Sequence, residues 1–148
     1  MSSAKKRTEG YLARGFYPVR WAHHPTEIKV AIRLAGFRPL MKQCYRNCQL
    51  LMVYNDLLGL GLDLTYHEGW VLSVIPIEHA WLEYQGEVLE LTLDDRKRVE
   101  YLQSTAYTLR DIRRNFSLTK TFSAVTSPRR FGELHPWRAE VEALRAKW

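Results

Sequence analysis

A chain of 148 residues, 46% of them hydrophobic, is long enough to bury roughly two thirds of the surface its unfolded form exposes, without disulfides or metals. Its net charge of +6 favours polyanions and acidic surfaces and says nothing about fold. Its two cysteines are too few for a disulfide framework, and no stretch approaches the roughly 20 apolar residues of a membrane span.

The polar, basic start MSSAKKRTEG lacks the apolar core of a signal peptide, so residues 1–9 are expected as a flexible arm and 10–148 as one α+β domain. The aromatic and basic stretch YLARGFYPVRWAHHP is broken by Pro18 and Pro25. TEIKVAIRLAG reads as a short helix from Thr26 to Gly36, although Ile28, Ile32 and Leu34 also allow a strand. The next helix is predicted to open at Pro39. Met41, Cys44, Tyr45, Cys48, Leu51 and Met52 then recur at three- and four-residue steps, and Gly59 and Gly61 stop it. LDLTYHEG alternates like a half-buried strand, and WVLSVIP is apolar like a buried one. HAWLEY and EVLELTL flank Gln85-Gly86, the strongest hairpin signal in the chain. The remainder reads as more helical: YTLRDIRRNF with a cap at Thr108, a loop at SPRRFGELHP, and an amphipathic helix from Pro136 to the end.

Both cysteines fall on the Pro39 helix, at i and i+4. A bridge there would be strained and close almost no loop, so both are read as reduced and the protein as soluble and cytoplasmic. A helix N-terminus favours a thiolate, because its unpaired N–H groups and dipole favour negative charge. Cys44 is the better nucleophile by this argument, and Cys48, one turn deeper, the better core residue. The matching base is His79, which opens the hairpin strand. If Gln85-Gly86 is a two-residue turn, residues whose numbers sum to about 171 face each other across the hairpin. Trp81 then faces Glu90, and His79 lies diagonally across from Glu90 on the same side. A carboxylate there accepts the imidazole N–H and leaves the other nitrogen to the thiol.

HAW at 79–81 followed by GEVLELT at 86–92 resembles the end of a transglutaminase-like core. CYRN at 44–47, YHEGW at 66–70 and IPIEHAW at 75–81 are similar to small bacterial and phage proteins of papain-like type. The resemblance spans roughly residues 36–95. It implies a papain-like α+β fold, in which a helix bearing Cys44 packs on a small antiparallel sheet bearing His79 and Glu90, with helices C-terminal to it. It also implies that Cys44 is the nucleophile, His79 the base and Glu90 the acid, with Asn47, Glu68 and Trp81 at supporting positions. Glu90 stands where such proteins usually carry Asp, and Leu91 where they carry Pro. The implied activity is cysteine-dependent acyl transfer on a protein, peptide or peptide-like amide, with no cofactor and no metal.

Other readings use the same residues. The domain can be a catalytically degenerate binder using the same cleft, with Glu68 a plain turn acid and Trp81 a wall of the core. Cys44, Cys48, His67 and His79 can be drawn as a zinc site, against which stands the lack of a second close ligand pair. Arg110, Arg113 and Arg114 would share a helix face and could meet an acidic partner or nucleic-acid phosphates, but no nucleic-acid-binding motif accompanies them.

Overall fold

A computed structural model describes residues 16–17, 25–72, 75–93 and 100–147. The basic arm at 1–9 and the pair His23-His24 lie outside the described residues. Helix α1, Thr26–Ala35, settles the first ambiguity in favour of helix. Ile28 and Ala31 are buried three residues apart, a helical and not a strand spacing. Gly36, left-handed at φ 72°, closes α1 by donating its N–H to the carbonyls of Ile32 and Arg33.

Helix α2, Cys44–Leu57, opens later than Pro39 suggests. Lys42 sits at φ 63°, a left-handed conformation that no right-handed helix can run through. Regular winding therefore begins only after Gln43, and Cys44 becomes the first helical residue. Gly59 and Gly61, both at positive φ, follow its end.

Strand β2, Leu64–Leu72, joins into one strand what the sequence presents as two. It is the central strand of the sheet, pairing along its length with β3, Pro76–Tyr84, and with β5, Glu100–Tyr107. Burial on both sides explains why its second half shows no alternation. The β2–β5 ladder slips by one residue opposite Gly69. The hairpin from β3 to β4, Glu87–Leu89, turns at Gln85 and Gly86, both at positive φ, as a two-residue turn with the right twist requires. Its register pairs Leu82 with Leu89 and Glu83 with Val88, as the predicted turn length demands. Strand β5 and the short β1, Phe16–Tyr17, were not legible in the sequence.

The five strands run in the order β1-β5-β2-β3-β4, and every pair is antiparallel. Three helices follow. In α3, Leu109–Thr119, the predicted cap is a full capping box between Thr108 and Asp111. In α4, Pro128–Glu133, a segment expected as loop winds up because Ser127 caps it and Pro128 presets the first turn. Helix α5, Arg138–Ala146, starts two residues after Pro136. Helices and an antiparallel sheet thus make an α+β architecture. Among the described residues no helix is long and apolar enough to cross a membrane.

The core divides by strand alternation. On one face, Tyr66, Ala80, Leu82 and Leu89 meet Ile28, Ala31, Cys48 and Leu51 from α1 and α2. On the other face, Val71, Trp81, Val88 and Tyr101 cluster together. Past the end of β4, the first turn of α2 meets the hairpin: the Asn47 amide donates to Thr92 Oγ1 at 3.0 Å.

Candidate active site

Cys44 begins α2, where the N–H groups of the first turn have no partner within the helix. His79 lies on β3 at a point that β4, pairing only with Leu82–Tyr84, does not reach. Cys44 lies close enough to the His79 ring to raise that ring's pKa. His79 Nε2 lies 2.7 Å from Glu90 Oε1, which leaves Nδ1 as the ring nitrogen for the sulfur. Cys44 is 9% exposed, His79 4% and Glu90 1%, so this contact is almost closed to bulk water.

Burial alone would discharge the His79 ring. The interactions with Cys44 and Glu90 outweigh burial and raise its pKa from 6.5 to about 9. The raised pKa favours the charged ring at neutral pH, with Nε2–H donated to Glu90. Glu90 shows the complementary shift. Burial pushes its pKa up, but the bonds from His79, Tyr101 and Thr92 bring it below the usual carboxylate value.

Four donors among the described residues fix Glu90. Oε1 accepts from His79 and from the Tyr101 hydroxyl at 2.6 Å, and Oε2 accepts from the backbone N–H of Thr92 at 2.9 Å and of Leu93 at 3.1 Å. The backbone turn after β4 thus grips the carboxylate, and the extra methylene of glutamate is absorbed without loss of the contact to His79.

The supporting residues divide by role. Asn47 is fully buried and clamps the turn before α2: it accepts from Leu40 N–H at 2.9 Å and donates to Leu40 O at 2.8 Å. Through Thr92 the same side chain links the cysteine-bearing helix to the backbone that grips Glu90. Trp81 is the wall between two histidines. Its ring stacks on His79 at 6.4 Å and on His67 at 5.9 Å, and Tyr101 meets it edge-on at 5.0 Å. Cys48 is fully buried, and desolvation leads the causes that hold its thiol well above its ordinary pKa. Both cysteines are free thiols.

Glu68 is not at a turn. It sits inside β2, fully buried, and accepts from the Tyr66 hydroxyl and from the backbone N–H groups of Val125 at 2.8 Å and Thr126 at 2.7 Å. It thereby fastens the segment after α3 to the central strand. Glu68→Gln replaces one of those acceptors with a donor that faces N–H or O–H groups. It is expected to cost roughly 2–3 kcal/mol of unfolding free energy in urea titration, while alkylation of Cys44 keeps its wild-type rate. A slowed alkylation in a folded Glu68→Gln protein would instead tie Glu68 to the thiol.

Sequence reasoning missed Tyr101, because β5 itself was missed, and Thr92, whose part lies in backbone geometry. It also gave His67 no structural place. His67 Nε2 lies 3.3 Å from Glu83 Oε2, but the two are not aligned as a hydrogen bond and both ring nitrogens are enclosed. Burial, opposed by Glu83, lowers the pKa of this ring. Among the described residues no group of three or more His, Cys, Asp or Glu is arranged to hold a metal ion. Of the basic helix face, Arg113 is tied to Asp56 of α2. A groove of about 470 Å³ lined by Val30, Leu34, Leu60 and Leu62 lies apart from the Cys44–His79 contact.

No family model, curated protein or solved structure matches this chain.

Proposed function

We propose that this protein performs cysteine-dependent acyl transfer on an amide through Cys44, His79 and Glu90, on a papain-like or transglutaminase-like scaffold. The observation that carries the reading is the juxtaposition of a thiol at a helix N-terminus with a buried histidine, bonded at 2.7 Å to a buried carboxylate that accepts from three further donors. Geometry of this kind matches a nucleophile, a base and an orienting acid.

The chemistry follows from the atoms in place. With its proton held on His79 Nδ1, the Cys44 sulfur attacks the carbonyl carbon. The carbonyl electron pair moves onto oxygen, where the backbone N–H of Cys44 can receive it as a hydrogen-bond donor. The pair then returns, the C–N bond breaks, and the proton on Nδ1 goes to the departing amine. A thioester remains on Cys44. Water or a second amine attacks it and gives its proton to His79 Nδ1, the C–S bond breaks with its electron pair going to sulfur, and the resting Cys44–His79 pair returns. Water makes the reaction hydrolysis or deamidation; an amine makes it transamidation. Each step uses protein groups and substrates alone. Glu90 stays ionised throughout and holds Nε2–H, which keeps Nδ1 aimed at the sulfur. The narrow exposure of Cys44 suits a slim acyl donor, such as a side-chain carboxamide of a protein or an extended peptide.

The test is competitive labelling. Iodoacetamide at limiting concentration and neutral pH should modify Cys44 at least tenfold faster than Cys48, read by peptide mass spectrometry. Slow and equal labelling of the two cysteines would remove the basis of the proposal.

A further inference from the structure

Strand β3 pairs with β2 over its whole length, Pro76–Tyr84, while β4 covers only Leu82–Tyr84 on its other side. A two-residue turn makes the residues that flank it, Tyr84 and Glu87, a hydrogen-bonded pair. Bonded residues then alternate along an antiparallel strand. The N–H and C=O groups of the even-numbered residues of β3 therefore point toward β4 and, where β4 stops, toward the edge it leaves. At Ala80 this edge is fully buried. It opens next to His79: Glu78 is exposed, and Ile77 and Ile75 are 48% and 61% exposed. The open groups are the N–H and C=O of Glu78 and the C=O of Pro76. No turn, loop or cap bond reaches them among the described residues. Ile77 lies on the same face of β3 as His79, and Glu78 on the other. No ion pair engages Glu78 among the described residues. A short edge with a proline and a charge is how natural sheets avoid pairing with their own kind. Those features do not close it to a short extended chain.

We propose that the edge of β3 at Pro76–Glu78 takes the substrate as an added antiparallel strand, an extended peptide with a basic residue opposite Glu78 and an apolar residue beside Ile77. The proposal rests on the acyl-transfer reading and names the substrate class for it. In an antiparallel pair, the residue opposite Glu78 donates its N–H to the Glu78 carbonyl and accepts from the Glu78 N–H. Side chains of opposed residues share a face, so a Lys or Arg at that position meets the Glu78 carboxylate. The next residue toward the C-terminus of the peptide falls opposite Ile77. The preceding one falls opposite His79, where the acyl donor belongs. The recognised order is thus acyl donor, basic residue, apolar residue. Main-chain bonds supply the affinity, and the two side chains supply the choice. The net charge of +6 opposes a basic ligand at long range, so preference for one has to come from Glu78 itself.

Protection of Cys44 from iodoacetamide by peptides tests the proposal. Three probes are compared: acetyl-Gly-Gln-Arg-Leu-Gly-amide, the same peptide with Glu in place of Arg, and the Arg peptide methylated on the Arg backbone nitrogen. The Arg peptide is expected to halve the labelling rate at a concentration on the order of 1 mM. The Glu peptide should need about fivefold more, since it sets like charges opposite each other. The methylated peptide should need about tenfold more, because it loses its N–H and crowds the edge. In Glu78→Lys, a change at an exposed position, the order of the Arg and Glu peptides should invert. Equal protection by those two, an order that Glu78→Lys leaves unchanged, or no protection up to about 10 mM overturns the proposal. So does full protection by the methylated peptide. With Cys44 still selectively alkylated in the absence of peptide, any of these results leaves the acyl-transfer reading standing. Absence of selective alkylation in the wild-type protein overturns both.

Discussion

His79→Ala is expected to slow iodoacetamide alkylation of Cys44 at pH 7 by about a hundredfold, the usual scale for loss of a positioned base. Cys48, fully buried, should be unaffected. A pH series gives a sharper version. His79 has its pKa raised to about 9 from 6.5, so the ring carries its charge through neutrality and loses it as pH rises through about 9. Iodoacetate is drawn to that charge, and iodoacetamide is not. The ratio of their rates at Cys44 should therefore fall as pH rises through about 9 in wild type and stay flat in His79→Ala. Stability follows the same sign. A raised folded pKa gives stabilisation that is complete below pH 6.5 and lost through about 9. At about 1.4 kcal/mol per unit, the loss is a few kcal/mol across that window. A His79→Ala protein whose urea midpoint kept the wild-type slope between pH 7 and 9 would show that the ring is not the charged group inferred here.

The parts of this site that were legible in the sequence are those set by local chemistry. Gln85-Gly86 fixes the hairpin register through two positive φ angles, which pairs Leu82 with Leu89, and the next residue along, Glu90, meets His79 at 2.7 Å. The spacing of Cys44 and Cys48 separates a first-turn thiol from a core one without any tertiary information. What could not be read depends on partners distant in the chain. Strand β5 has no hairpin turn to announce it and pairs with β2, an earlier strand, so Tyr101 and its bond to Glu90 stayed hidden. The opening of α2 moved from Pro39 to Cys44 because Asn47 reaches back to both backbone groups of Leu40, a contact that holds the intervening turn in its non-helical form. Glu68 looked like a turn acid because Gly69 follows it, yet β2 runs on through Gly69. Glycine there marks a slip in the ladder and not a chain reversal.

Replacing Glu90 is expected to destabilise the fold more than replacing any other residue of the site. In Glu90→Ala, the His79 imidazolium is left buried without its anion, and the Tyr101 hydroxyl and the N–H groups of Thr92 and Leu93 lose their acceptor. Breaking a buried charge pair from one side costs roughly 3–5 kcal/mol, which lowers the melting temperature by on the order of 10 °C for a chain of this size. Glu90→Gln keeps the shape and still fails. Four donors converge on two carboxylate oxygens, and a carboxamide accepts through one oxygen while its NH₂ turns donors toward donors. Its cost should approach that of alanine, and alkylation of Cys44 should slow as His79 loses its orientation. Acid titration identifies the charge itself. The carboxyl pKa of Glu90 is held below the usual value, so its stabilisation is present above the unfolded-state pKa near 4.5 and lost as pH falls through the depressed folded one. Wild type should therefore lose stability steeply below about pH 4.5, and Glu90→Gln, having nothing there to protonate, should show a shallower slope. A glutamine variant as stable as wild type at pH 7, with the acid transition intact, would mean that the four donors are satisfied by something other than the carboxylate charge.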